Sequence, residues 1–247
     1  YLRVKGSIPK RAAQPYVLNR VTLNTRYGLN DTSETVKPII FRKYRYVPDE
    51  KVFKAKAITN ATFLYPDSIY RRRRQDQTLS RLMSLGTFKF VDIQFRPARQ
   101  KPDSAGYGFL NASVRMTQLK KKAIRTELQY NSKTQFAGPT FLVQYRNRSA
   151  LRGAEQLLLN LTATFEQRQA GGNSTEGGTS GPVFGLTSYE LGANGQLVVP
   201  RLITPPFNIR LVNSDFQPRT TFGAGYRYVE RRQFFQEDFF NLNYGYS

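Results

Sequence analysis

"RGAEQLLLNLTATFEQRQ", residues 152 to 169, has the composition of an amphipathic helix and the spacing of a strand. Leu157, Leu159, Leu161, Ala163 and Phe165 fall on odd numbers, and Gln156, Asn160, Thr162, Thr164 and Glu166 on even ones. A helix buries residues three and four apart, whereas a half-buried strand buries every second one. The spacing predicts a strand with one greasy and one wet face, and Leu158 is its exception.

The alternation recurs along the second half of the chain. Ile124, Leu128 and Tyr130 oppose Arg125, Glu127 and Gln129, and Phe141, Val143 and Tyr145 oppose Thr140, Gln144 and Arg146. Tyr189, Leu191, Ala193, Leu197 and Val199 oppose Glu190, Gly192, Asn194 and Gln196. Phe222, Ala224, Tyr226 and Tyr228 oppose Gly223, Gly225 and Arg227, and Phe240, Leu242, Tyr244 and Tyr246 oppose Asn241, Asn243, Gly245 and Ser247. Six such segments of roughly 9 to 13 residues match the length a tilted membrane strand needs; soluble strands run nearer to about 5 or 6. Asn131 to Gly138 and Asn147 to Gly153 read as short turn-rich links, and residues 169–185 as a Gly/Ser/Thr-rich surface loop. Residues 200–219 carry four prolines and are excluded as a central strand.

Composition narrows the function classes. The 247 residues hold 38 Lys and Arg against 17 Asp and Glu, a net charge of +21. Such an excess points to a polyanion or an anionic lipid surface as partner. With no His and no Cys, the usual metal ligands, cysteine and Ser-His nucleophiles and disulfides are absent. No apolar run approaches the roughly 18 residues of a membrane helix, which leaves strands as the means of crossing a bilayer. The opening Tyr1-Leu2-Arg3-Val4 lacks the pattern of a signal peptide, and the chain reads as a product cut at both ends.

The first half has a different grammar. Val17, Val21 and Leu23 predict a strand within residues 16–24, and residues 49–61 a short helix. Residues 76–86 predict a helix with a stripe of Leu79, Leu82, Met83 and Leu85, ended by Gly86. Two strands follow: Lys89 to Phe95, with Val91, Ile93 and Phe95 on one side, and Phe109 to Thr117, with Leu110, Ala112, Val114 and Met116 on one side. Strand, helix, helix, strand, strand is the order of a small soluble α+β unit.

That order, with the leucine-rich helix closing on Leu85-Gly86-Thr87-Phe88, resembles a POTRA domain. Residues 140–169 and 188–207 resemble the second to fourth barrel strands of the BamA/TamA superfamily of outer-membrane assembly factors, most of all the TamA-like (TamL) proteins of the Bacteroidota. The resemblance spans about residues 14 to 247 through a series of weak matches, and the family's Val/Ile-Arg-Gly-Phe/Tyr loop signature does not occur in the chain. It implies an α+β POTRA domain at 15–119, a tail of a preceding POTRA domain or a linker at 1–14, and barrel strands at 120–247. The family's barrel has about sixteen antiparallel strands, so these would be its first six.

The resemblance further implies where function sits. Lys122, Ala123, Ile124, Arg125, Thr126, Glu127, Leu128, Gln129, Tyr130 and Asn131 would form the free side of a lateral seam. Their backbone would pair with incoming substrate strands or close the barrel on its last strand. Lys89, Phe90, Val91, Asp92, Ile93, Gln94 and Phe95 would form a second pairing edge on the POTRA domain, or an ordinary packed strand. Leu157, Leu159, Leu161, Phe165, Tyr189, Leu191, Phe222, Tyr226, Phe240, Leu242 and Tyr244 would face lipid. The implied partners are the outer-membrane bilayer, unfolded outer-membrane or surface proteins, and accessory lipoproteins or an inner-membrane partner. The implied location is the outer membrane, with the N-terminal part in the periplasm. A two-partner secretion transporter is the nearest alternative, and a basic soluble nucleic-acid-binding protein is one of another class.

No catalytic, cofactor-binding or metal-binding residue is expected. Asp49-Glu50 and Glu237-Asp238 read as solvated turn acids, and the glycines at 171, 172, 177, 178 and 181 lack the Lys and helix of a phosphate loop. Sequons at Asn30, Asn60, Asn111, Asn147, Asn160 and Asn173 read as chance occurrences. Arg71-Arg72-Arg73-Arg74 is the strongest nucleic-acid signal, but it lacks interleaved aromatics and reads as a basic helix head facing the periplasm or a membrane surface. Arg125, Arg146, Arg227, Arg231 and Arg232 are expected on the polar side or at strand ends.

Overall fold

The computed structural model describes residues 14–28, 37–49, 52–98, 106–132, 136–168, 188–204, 218–232 and 234–247. Residues 1–13, Asn30, Glu50, the loop at 169–185 and the central part of the proline-bearing segment lie outside the described residues. The chain divides into two compact units. The first takes in residues up to Lys121 with Ser149–Ala154, and the second the remaining strands.

The first unit runs β1 (Tyr16–Asn24), β2 (Ile39–Phe41), β3 (Tyr44–Val47), α1 (Ala55–Asn60), β4 (Ser68–Ile69), α2 (Arg72–Ser84), β5 (Phe88–Pro97) and β6 (Gly108–Gln118). The sheet order is β2-β3-β1-β6-β5, with β4 paired to the start of β1. β1 lies parallel to both β3 and β6, while β5 and β6 are antiparallel. A parallel pair needs a crossover, and α1 and α2 belong to the connection between β1 and β6. Leu18, Val21, Leu23, Tyr46, Val114 and Met116 from the sheet, with Ile58 and Leu82 from the helices, form the buried core. Phe53 and Phe88 meet within it at 5.3 Å between ring centres.

Several expectations need correction. Leu18, not Val17, is fully buried, because the pairing register shifts between Leu18 and Arg20 and brings Leu18 onto the face of Val21. α2 begins four residues before the predicted start, at Arg72, and α1 covers only Ala55–Asn60. Leu82 and Leu85 of the proposed stripe are buried, but Leu79 and Met83 are exposed; buried Thr78 takes the inner position instead. The Thr78 hydroxyl accepts the Phe63 N–H at 3.0 Å and donates to the Arg74 carbonyl at 2.7 Å. Gly86, at φ 64°, turns the chain out of α2 and donates its N–H to the Met83 carbonyl.

The second unit is an antiparallel meander of β7 (Lys122–Ser132), β8 (Phe136–Asn147), β9 (Gln156–Arg168), β10 (Ser188–Val199), β11 (Thr220–Arg231) and β12 (Phe235–Tyr246). The spatial order equals the chain order, so every strand pairs with its sequence neighbours. Among the described residues the sheet is open: β7 pairs only with β8 and β12 only with β11. The stretch expected as a link from Asn131 to Gly138 is mostly strand, with Asn131 opposite Gly138 and Ser132 opposite Ala137. Glu237-Asp238 likewise stands inside β12 and not in a turn, because the reversal from β11 is complete by Phe235.

Candidate functional site

The pairing register of the second unit sorts its side chains into two surfaces. One row crosses all six strands as Arg125, Gln144, Asn160, Asn194, Gly225 and Asn241. Gln144 donates its amide N–H to the Asn160 amide oxygen at 3.0 Å. Nearby, the Thr140 and Thr164 hydroxyls are 3.1 Å apart and Asn131 donates to Thr140 at 3.1 Å. A Cβ at Gly225 would meet the amide oxygens of both Asn194 and Asn241, so a side chain there would turn those two amides out of their present positions. Gly223 stands in the same relation to Asn243.

Toward one end of this polar surface, Arg227 pairs with Glu190 at 3.6 Å and lies 4.4 Å over the Phe239 ring. Arg231 lies over Phe235 at 5.4 Å and over Phe136 at 5.6 Å. Phe136 belongs to β8, three strands away from β11, so the sheet curls toward its polar face. Leu158 sits on that face between Arg146 and Gln196, half-buried, and Leu142 is a second apolar residue there, between Glu127 and Thr162.

The opposite surface is apolar and uncovered. All eleven residues expected to face lipid share it by register: Leu157 with Leu197, Phe222 and Tyr244; Leu159 with Leu242; Leu161 with Tyr226 and Phe240; Phe165 with Tyr189; and Leu191 with Tyr228. Exposure reaches 55% at Leu161, 70% at Phe240 and 72% at Leu242. A continuous apolar face of this extent is not sustained in water by a monomeric soluble protein. Aromatic pairs gather toward its two ends, Phe222 with Tyr244 and Tyr189 with Tyr228.

The proposed seam, Lys122 to Asn131, is the free edge of this sheet. Ile124, Leu128 and Tyr130 project on the apolar surface at about 70% exposure, while Arg125 and Glu127 form an ion pair on the polar one. The second proposed edge, Lys89 to Phe95, lies in β5, which among the described residues pairs only with β6 and is the last strand of its sheet. Val91, Ile93 and Phe95 pack against the core, Asp92 points out, and Lys89 lies over the exposed Phe90 ring. The arginine tract forms the first turn of α2, where Arg72 pairs with Asp76 at 3.9 Å and Arg74 lies over Tyr65.

No family model and no curated protein matches the chain. Among solved structures, BamA from Haemophilus ducreyi lacking POTRA domains 1–3 aligns with 94% of this chain and 43% of its own, at 9% identity and a TM-score of 0.36. CdiB from Acinetobacter baumannii aligns with 94% of this chain and 42% of its own, at 12% identity and a TM-score of 0.41. The chain therefore spans less than half the length of either.

Proposed function

We propose that this chain is the junction of a periplasmic POTRA-like module and the leading strands of an outer-membrane barrel, in a factor that inserts other proteins into that membrane. The uncurtained apolar face of the second unit carries the reading, since it needs a nonaqueous solvent while the face behind it is lined with amides and charges. The free edge of β7 supplies the working part. Its unpaired N–H and C=O groups lie beside lipid, where leaving them unsatisfied costs several kcal/mol, roughly. An unfolded substrate strand satisfies them by pairing, and release follows when the substrate's own strands replace that pairing. The process is non-covalent and draws its free energy from burial of the substrate in the bilayer. The exposed edge of β5 offers an earlier pairing site for an extended chain.

A photo-crosslinking residue placed at Ala123 or Thr126 in the full-length protein tests this reading in cells. The expected result is adducts with several unrelated outer-membrane proteins. Adducts with a single exported polypeptide would favour a two-partner secretion transporter. Recovery of the unheated, detergent-free protein in the soluble fraction would remove the membrane assignment altogether.

A further inference from the structure

In the first unit, Ile58 of α1 and Leu82 of α2 pack on one side of the sheet, and the pairing register gathers what lies on the other. One row there runs Arg96 on β5, Asn111 on β6 and Arg20 on β1. The next crosses all five strands as Gln94, Ser113, Thr22, Arg45 and Ile40, and the third sets Asp92 beside Arg115. Arg20 and Arg96 are exposed and Arg45 is half-buried. None of these three forms an ion pair with a described residue.

The rows thus hold four arginines, one acid and no lysine. Arginine is enriched and lysine, glutamate and aspartate are depleted where proteins meet. A guanidinium is weakly hydrated, and its planar fork fits a carboxylate through two parallel hydrogen bonds. Arg115 is already held in place, lying 4.9 Å over the Tyr27 ring and donating to its hydroxyl at 3.4 Å, so less freedom is lost when it binds. Large apolar side chains stand exposed at the two borders of the same face, Ile40 on β2 at 82% and Phe90 on β5 at 55%. Base stacking needs open aromatic rings among the basic groups, and the rows on β6 and β1 present only Arg, Asn, Ser and Thr. An anionic lipid surface attracts lysine as readily as arginine, and lysine is what these rows lack.

We propose that this side of the first unit docks a carboxylate-rich segment of an acidic partner protein, with its acids set against Arg20, Arg45 and Arg96. Charge complementarity selects the partner, since three guanidinium groups share one sheet face without an acid of their own. The inference concerns the first unit alone and is independent of the membrane reading of the second.

The test uses the full-length protein in phosphatidylcholine nanodiscs, or in plain buffer if it needs no lipid, with fluorescent poly-L-glutamate as the probe. Oligothymidylate of equal charge and protein-free phosphatidylglycerol nanodiscs are the rival polyanions. Arg20→Gln with Arg45→Gln and Arg96→Gln is expected to weaken poly-L-glutamate binding roughly tenfold, the scale of three exposed ion pairs lost together. Arg71→Gln with Arg72→Gln and Arg73→Gln removes the same charge elsewhere and is expected to change binding by less than about twofold, because salt screens charges at a distance. Thr22→Glu sets an acid between Arg45 and Ser113 and is expected to weaken binding without lowering the first unit's melting temperature. Equal losses in the two triple variants assign the binding to net charge alone and overturn the proposal. Tighter binding of oligothymidylate or phosphatidylglycerol than of poly-L-glutamate, lost with Arg20, Arg45 and Arg96, also overturns it.

Discussion

Gln144 on β8 donates to Asn160 on β9 at 3.0 Å, an amide pair on the polar side of a sheet whose other side is largely apolar. The pair is neutral, so its contribution does not depend on salt or on the strong positive charge of the chain. A double-mutant cycle of Gln144→Ala and Asn160→Ala is expected to give a coupling of about 0.5–1.5 kcal/mol by denaturant unfolding from vesicles. Purely additive effects would mean that water replaces the bond at no cost.

A side chain at Gly225 would displace the Asn194 and Asn241 amides from their present positions. Gly225→Ala is expected to destabilise the second unit by about 1–3 kcal/mol, the usual range for overpacking. Asn194→Ala combined with Asn241→Ala opens the space over Gly225, so the same substitution in that background should cost less than half as much. Equal costs in the two backgrounds, read from unfolding midpoints, would contradict the steric account.

The two faces of β9 make a sharper contrast. Leu161→Arg is expected to cost about 2–4 kcal/mol in a bilayer, whereas Thr162→Arg, one residue away on the polar face, should cost little. Unfolding titrations in lipid vesicles separate these outcomes. Two equally harmless substitutions would be incompatible with lipid on the apolar side.

In the first unit the Tyr44 hydroxyl is buried without a hydrogen bond to a described residue. Burial, and secondarily the neighbouring Tyr65, pushes its ionisation above the ordinary tyrosine value. The unfolded chain therefore loses this proton first as pH rises. Stability from the neutral phenol is complete below about pH 10 and declines as pH climbs above that value toward the folded-state value. Tyr44→Phe is expected to be neutral or stabilising at pH 8 and to flatten the alkaline decline of the first unit's melting temperature. An unchanged alkaline slope would assign the loss to other groups.

What could be read from the amino acids alone followed from period. A strand with one apolar side keeps its alternation through most of its length, and β8 to β12 hold it apart from Leu142, Leu158, Val229, Glu230 and the first residues of β12. The hairpin of β2 and β3 gave no such sign, because its turn uses Arg42 and Lys43 at positive φ, 50° and 68°, where Gly or Asn is the usual signal. The start of α2 was hidden for a similar reason: Arg71 caps it without a side-chain hydrogen bond. The basic face depends on Arg20, Arg45 and Arg96 coming together from three strands, a fact of register that no single strand contains. Asp238 was misplaced because two adjacent acids after a turn look the same whether the turn is long or tight.

The amide row also acts as a checksum on strand addition. A one-residue slip of β10 against β9 would set Asn194 against Leu159 or Leu161 and turn a whole strand inside out. A two-residue slip would keep the faces but set Asn194 against Leu158 or Thr162, ending the amide succession. Of these alignments only the observed one continues it, and the row ends at Asn241 on β12 and at Arg125 on β7. Whatever strand joins either border is thus met by a fixed polar mark, and the right partner is one that answers it at that level.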